Sequence, residues 1–169
     1  MSTTTHPTTP NPTKISAPEG VPFIEMVREF DAPVAAVYRA YVEPDLASQW
    51  LGPHGYEMAI TDWDLTTGGR YAYVHRNPAK PGEEYGFRGV IHEAVENDHI
   101  TQTFEFVGAP GQVSLDTAFF EDLGGGRSRV RGWSVFNSVE ARDGIVASGM
   151  EHGVVEGYER LDALLAQQA

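Results

Sequence analysis

Two ionisable residues, Glu93 and His75, have the types and the strand positions that acid–base catalysis requires. Glu93 lies two residues after Ile91 in a predicted strand, so simple alternation predicts that both side chains point inward. A carboxyl group among aromatic residues has a raised pKa, which suits a general acid or base. His75 belongs to a neighbouring predicted strand. The alternative for Glu93 is an ion pair at the strand end, with Arg88 or Arg131.

Three glycines, Gly149, Gly153 and Gly157, lie four residues apart in a segment with the periodicity of an amphipathic helix. Each glycine lowers helix stability by about 1 kcal/mol relative to alanine in a helix interior. Three glycines at this spacing therefore indicate that side chains have to be absent from one surface of the helix. One interpretation is close packing against another backbone. The other is a hollow between the helix and the element it covers, as a small-molecule site needs.

The elements that position these residues follow from turn and cap signals. Asp31 and Pro33 are typical of a helix N-terminus, because the carboxylate caps free amides and the proline ring fits the first turn. Glycine-rich turns separate the later strands. The predicted order is a strand over 22–30, helices over 34–42 and 44–50, six strands within 56–136, a short helix over 138–143 and a long helix over 144–167.

This order predicts an α+β fold. A curved antiparallel sheet of about seven strands has one apolar face to bury, and the long C-terminal helix is the element able to cover it. A strongly bent sheet cannot follow a straight helix along its length. We therefore expect a gap between sheet and helix, which small helix residues enlarge.

The first 21 residues differ in composition from the rest. They are rich in Thr, Pro and Ser, with almost no apolar residues, which predicts a disordered tail over 1–21. Residues 22–169 are predicted to form a single domain, which suits a chain of 169 residues with 41% hydrophobic content.

Composition also excludes several classes of function. The formal net charge of −12 and the scattered Lys and Arg residues argue against nucleic acid and anionic membrane surfaces as partners. The chain has no cysteine, hence no disulfide and no thiolate metal site. Because metal-ligand spacing and nucleotide-binding loops are missing from the sequence, we expect no metal and no cofactor. The absence of cysteine predicts a cytoplasmic location. The lack of a signal sequence and of a long apolar run predicts a soluble chain.

Several short motifs occur in a characteristic order from about Phe23 to Leu165. They are Asp31-Ala32-Pro33, Tyr38, Pro44, Trp50, Gly52-Pro53, Asp64, Gly68-Gly69-Arg70, Gly89, Glu93, Thr103, Gly149-Met150, Gly153, Tyr158 and Leu161. This order resembles the AHSA1-like branch of the START/Bet v 1 superfamily, also called SRPBCC or polyketide cyclase-like proteins. The resemblance implies a helix-grip fold, in which the C-terminal helix roofs an apolar cavity over a seven-stranded sheet. It therefore favours the hollow over close packing.

Strand alternation supplies a predicted lining for this cavity, together with residues of the helices. For any single aromatic residue, ordinary core packing is the alternative. The predicted lining is Trp63, Tyr71, Tyr73, His75, Phe87, Ile91, Phe104, Phe106, Phe119, Trp133 and Val135 from the sheet, and Trp50, Met150, Gly153, Val154 and Tyr158 from the helices.

Three classes of function remain open. The first is binding of a hydrophobic or aromatic small molecule, such as a lipid or a polyketide-like metabolite. The second is a cofactor-independent cyclase, dehydratase or hydrolase, with Glu93, His75 or a tyrosine as acid or base. The third, implied by the resemblance, is a co-chaperone of an Hsp90-type ATPase, although residues 1–21 are too short and too polar to replace the separate N-terminal domain of such activators. A homodimer is compatible with the sequence.

Overall fold

The computed structural model of the protein describes residues 2–6 and 11–169. These residues form nine strands and four helices. The strands are β1 (Ser2–His6), β2 (Thr13–Ala17), β3 (Phe23–Phe30), β4 (Glu57–Trp63), β5 (Arg70–Arg76), β6 (Glu84–Val95), β7 (His99–Phe106), β8 (Val113–Gly124) and β9 (Arg127–Val135). The helices are α1 (Val34–Val42), α2 (Pro44–Trp50), α3 (Val139–Ala147) and α4 (Met150–Gln167).

All nine strands belong to one antiparallel sheet, in the order β1-β2-β3-β9-β8-β7-β6-β5-β4. Helices α1 and α2 connect β3 to β4, and α4 packs on α1, α2 and β2 at the inner face of the sheet. The α+β helix-grip architecture is thus confirmed, with nine strands instead of about seven. Over the described segments, no helix combines the length and apolar character needed to cross a membrane.

The two additional strands lie in the segment for which composition predicts a disordered tail. β2 is hydrogen-bonded to β3, and its alternate residues Thr13 and Ile15 are only 3% and 2% exposed. Arg142 of α3 holds the end of this segment by donating to the carbonyl of Pro18 (2.8 Å). The structure therefore differs from the prediction at 2–6 and 11–21, because a strand added to an existing sheet needs few apolar residues of its own. For residues 1 and 7–10 the prediction lies outside the described residues.

The C-terminal helix begins later than predicted. Gly149 has a φ of +84°, a left-handed conformation that other residues avoid, and it separates α3 from α4. Ser138 caps α3 by accepting a hydrogen bond from the Ala141 backbone amide (3.0 Å). Gly149 is consequently a junction between two helices and does not belong to a single helix over 144–167.

A buried arginine ties α4 to the sheet. Arg28 of β3 is 1% exposed, and its Nη1 donates to Asp162 Oδ1 of α4 (3.2 Å) and to the Glu29 carbonyl (2.6 Å). The guanidinium carbon also lies 5.0 Å from the centre of the Phe30 ring. Because a buried charge is costly without its partner, this ion pair fixes α4 over one part of the inner face.

We expect Ile15→Ala to lower the free energy of unfolding by about 2–4 kcal/mol, because it removes a fully buried aliphatic side chain. The matched control is Lys14→Ala on the same strand, whose exposed side chain predicts a change within about 0.5 kcal/mol. Urea unfolding followed by tryptophan fluorescence measures both. Equal stabilities of the two variants would contradict the docking of β2.

Candidate functional site

One row of paired positions carries polar side chains across the inner face of the sheet. Ser134 of β9 pairs with Asp116 of β8, which pairs with Gln102 of β7. The row is flanked by Ile24 on β3 and Ile91 on β6, which are 0% and 2% exposed. Since paired residues of neighbouring strands point to the same face, all three polar side chains point inward. We call Ser134, Asp116 and Gln102 the polar row.

Asp116 is the charged member of the polar row. Ser114 Oγ donates to Asp116 Oδ1 (2.9 Å), and Ser134 supplies a second hydrogen bond. Burial raises the pKa of the Asp116 carboxyl group to about 6, while the two serine bonds partly oppose that rise. Asp116 therefore changes its charge close to neutral pH.

Two tyrosines of β5 adjoin the polar row. The Tyr71 hydroxyl donates to the carbonyl of Thr103 (2.6 Å) and accepts from Gln102 Nε2 (3.2 Å). A Cβ atom at position 89 would lie 2.5 Å from this hydroxyl, which explains why Gly89 stands opposite Tyr71. Burial, followed by the nearby Asp116 charge, raises the pKa of Tyr73, and burial with the charges of Tyr73 and Asp116 raises that of Tyr71. Both phenols stay protonated.

His75 continues this line of inward side chains on β5. It is 7% exposed, and its Nε2 atom is buried without a hydrogen-bond partner in the described part of the chain. Burial lowers the pKa of His75 to about 4, against a hydrogen bond with the Leu51 backbone that raises it. The imidazole is therefore neutral at physiological pH. Its ring centre lies 5.1 Å from that of Tyr73 and 5.5 Å from that of Phe87.

Aromatic rings form the apolar part of the inner face. The Phe87 ring centre is 5.3 Å from Phe104, 5.5 Å from Phe106 and 5.3 Å from Tyr73. We call Phe87, Phe104 and Phe106 the aromatic wall. These three residues are partly exposed, and so is Val154 of α4, which packs against the same core. The polar row, the aromatic wall and Val154 together make up the inner-face site.

Other predicted lining residues pack the core instead. Trp50 is 4% exposed and donates from Nε1 to the Ala40 carbonyl (2.8 Å), and its ring stacks on Tyr158. The Tyr158 hydroxyl shares a hydrogen bond with that of Tyr41 (3.4 Å). Trp63 Nε1 donates to a carbonyl at the end of α1 (2.8 Å). The polar atoms of these aromatic residues are thus used within the fold, which favours the core-packing alternative for them.

The helix glycines do not face the sheet. A Cβ atom on Gly157 would lie 3.4 Å from the Trp50 carbonyl and 3.5 Å from the Gly52 amide, which is close backbone packing. At Gly153 the nearest atom would be Pro53 Cδ, at 4.0 Å. Both glycines therefore face the loop after α2, so they are not the residues that leave space at the inner face.

The inward orientation predicted for Glu93 is wrong, and Glu93 does not meet His75. Between Ile91 and Glu93 the pairing of β6 with β7 shifts by one residue, a β-bulge that reverses the alternation. Glu93 consequently points to the outer face, where its side chain is 53% exposed and its Oε2 lies 2.8 Å from His99 Nε2. Glu93 thus has a partner at the strand end, but it is His99 instead of Arg88 or Arg131, and the contact is an ion pair when the imidazole is protonated.

Phe119, Trp133 and Val135 also lie on the outer face, in contrast to their predicted inward orientation. Trp133 is 39% exposed and Val135 is 45% exposed. The Trp133 ring centre is 4.8 Å from that of Phe119, and its Nε1 donates to Glu25 Oε2 (2.9 Å). Sequence alternation misleads here because β8 and β9 carry apolar residues on both faces.

Neither of two surface depressions found over the described residues lies where the hollow is predicted. These two depressions, of about 530 and 440 Å³, meet on the outer face at Val90 and Thr103. The inner-face site is a partly exposed surface in this conformation. Among residues 2–6 and 11–169, no cluster of three or more His, Asp or Glu side chains has the arrangement of a metal site.

Asp116 and Gln102 are functional candidates that the sequence patterns did not reveal. The available signal is the alternation of Ser114, Asp116, Ala118 and Phe120, in which a carboxylate shares the parity of a buried aromatic residue. Phe119 is equally apolar and suggests that the odd-numbered residues point inward instead. Only the pairing of β8 with its neighbours shows that the even-numbered residues, including Asp116, face the core.

Comparisons with known proteins agree with this architecture. The sequence model of a family described as activator of Hsp90 ATPase homolog 1-like protein matches residues 31–166. A solution structure of a protein from Arthrobacter aurescens is 27% identical, with a TM-score of 0.82, over 90% of this chain and 91% of its own. A crystal structure from Mycobacterium smegmatis is 24% identical, with a TM-score of 0.79, over 92% and 98% of the two chains. The AHSA1 protein of Silicibacter pomeroyi has 20% identity, a TM-score of 0.71 and coverages of 87% and 99%. No curated protein matches the chain.

We expect Asp116→Asn to stabilise the protein at pH 8 and to leave its stability at pH 4 nearly unchanged. The folded pKa of about 6 exceeds the ordinary 3.8, so the folded state favours the protonated carboxyl and its ionisation costs stability as pH rises through this range. The expected gain at pH 8 is about 2–3 kcal/mol, or roughly 4–12 °C in the melting temperature. Calorimetry at both pH values measures it, and a variant less stable than the parent at pH 8 would show that Asp116 is well solvated.

Proposed function

Because the chain belongs to the family of activator of Hsp90 ATPase homolog 1-like proteins, whose helix-grip fold is suited to ligand binding, we propose that it binds a hydrophobic or aromatic small molecule at the inner-face site. The ligand would lie between the sheet and the N-terminal half of α4. Its apolar part would contact the aromatic wall and Val154, and its polar part would reach the polar row.

The observation that carries the proposal is an ionisable carboxyl group within an apolar face. A face that served packing alone would gain stability by replacing Asp116 with an apolar residue, because burial of a carboxylate is costly. Proteins keep such costly groups mainly at functional sites. The few polar groups amid aromatic rings also match the composition of small-molecule sites in general.

Part of the aromatic wall is accessible to a ligand. Phe104 and Phe106 are partly exposed, so a change of their rotamers on binding would enlarge the contact surface. Covering about 200 Å² of apolar ligand surface contributes about 5 kcal/mol before the costs of association. We therefore expect affinities for simple aromatic probes in the submillimolar to millimolar range.

A second candidate is a cofactor-independent enzyme that uses the same site. It is favoured by the pKa of Asp116, which at about 6 suits proton transfer at neutral pH. In this proposal Asp116 takes the role predicted for Glu93, and the protonated Tyr73 beside it would donate a hydrogen bond. Once a substrate is found, Asp116→Asn should lower kcat by roughly 10²-fold or more with KM nearly unchanged.

We expect the neutral dye N-phenyl-1-naphthylamine to bind the parent protein with increased fluorescence, and Val154→Phe to weaken that binding by about tenfold or more. The larger ring would occupy the space between α4 and the aromatic wall. The matched control is Gly153→Ala, since its new methyl group faces Pro53 and leaves the inner-face site unchanged.

Melting temperatures of both variants establish that they are folded. If Val154→Phe does not fold, Phe104→Ala removes part of the wall and should weaken dye binding several-fold. Dye binding that is unaffected by either folded variant would place the ligand elsewhere and overturn the proposed function.

A further inference from the structure

We propose that the inner-face site selects ligands with a basic nitrogen, protonated at neutral pH, which binds the Asp116 carboxylate. This inference rests on the proposed function and names the chemical class of its ligand. Neither the family nor its fold specifies a cationic ligand, so the argument depends on the side chains around Asp116.

The Asp116 carboxylate has acceptor capacity that the protein leaves unused. A carboxylate offers about four lone-pair positions, whereas the described residues supply two donors, the hydroxyls of Ser114 and Ser134. Within the described residues no Lys, Arg or His side chain forms an ion pair with it. A ligand ammonium group, with its several N–H donors, fits these remaining positions and neutralises the charge.

The basic side chains on the inner side of the sheet are engaged elsewhere. Arg28 pairs with Asp162, and Arg142 donates to the Pro18 and Phe23 carbonyls. Arg160 donates to the carbonyls of the loop after α2. Each of these cations therefore interacts with other groups of the fold, and none of them pairs with Asp116.

The surroundings of Asp116 favour a donor over an acceptor in the ligand. The neutral His75 lies on the same face, on the far side of Tyr73, and its Nε2, buried beside Gly52, has no hydrogen-bond partner among the described residues. The faces of Tyr73 and Phe87 carry the negative potential that attracts cations. A ligand carboxylate or phosphate would meet Asp116 and a chain of net charge −12, both of which repel it.

The experiment compares three probes that share one ring system and differ in charge. 2-Naphthylmethylamine, 2-naphthylmethanol and 2-naphthoate compete with bound N-phenyl-1-naphthylamine at pH 7.5, where the amine is protonated. We expect the amine to bind the parent protein about tenfold more tightly than the alcohol, and the naphthoate to bind more weakly than the alcohol.

Asp116→Asn should remove the preference for the amine, so that the amine and the alcohol bind this variant with affinities within about twofold of each other. The matched control is Asp45→Asn, which changes the net charge equally at an exposed position of α2 and should keep the preference. Loss of the preference in Asp45→Asn would mean that overall charge, and not Asp116, attracts the amine.

Two results overturn the inference while the proposed function stands. One is equal displacement of the dye by the amine and the alcohol in the parent protein, and the other is a preference that survives in Asp116→Asn. Failure of the dye itself to bind the parent protein contradicts the proposed function and, with it, this inference.

Discussion

The pairing register of β3, β9, β8 and β7 is the constraint on which the inner-face site depends. Side chains alternate along each strand, so a shift of one residue would move Asp116 and Gln102 to the outer face. Phe120 and Val130 share the inward parity and are 5% and 1% exposed. Burying such side chains contributes about 2 kcal/mol each. Burial of these apolar residues therefore fixes the register, which also places the Asp116 carboxylate on the inner face. The free energy that they contribute offsets the cost of burying this carboxylate.

The sequence predicts well those parts of the fold that depend on local signals. Proline and turn residues mark α1 and α2, and the structure has both helices within the predicted bounds. The orientation of Glu93 was not predictable in this way, because its β-bulge arises from pairing with β7. The docking of β2 was missed for a related reason, since Ile15 is buried against a sheet that composition does not reveal.

The candidate site shows the same division between local and long-range information. Aromatic residues with one clear parity, such as Phe87 and Phe104, were predicted inward and are found there. Where both faces of a strand are apolar, as at Trp133, the neighbouring strands decide the orientation. The inward orientation of Asp116 is likewise set by the neighbouring strands. The residue with the largest proposed role in ligand binding therefore has the weakest sequence signal.

The β1–β2 hairpin has a consequence for the behaviour of the protein in crowded solution. Without it, β3 would be an edge strand, with a row of free backbone amides and carbonyls able to pair with strands of other molecules. β2 pairs with the central part of this edge, from Glu25 to Val27, and the outermost strand is then β1, which has only five residues, three of them threonine. A short polar edge is a poor template for intermolecular sheet extension. The N-terminal segment therefore protects an aggregation-prone margin of the sheet.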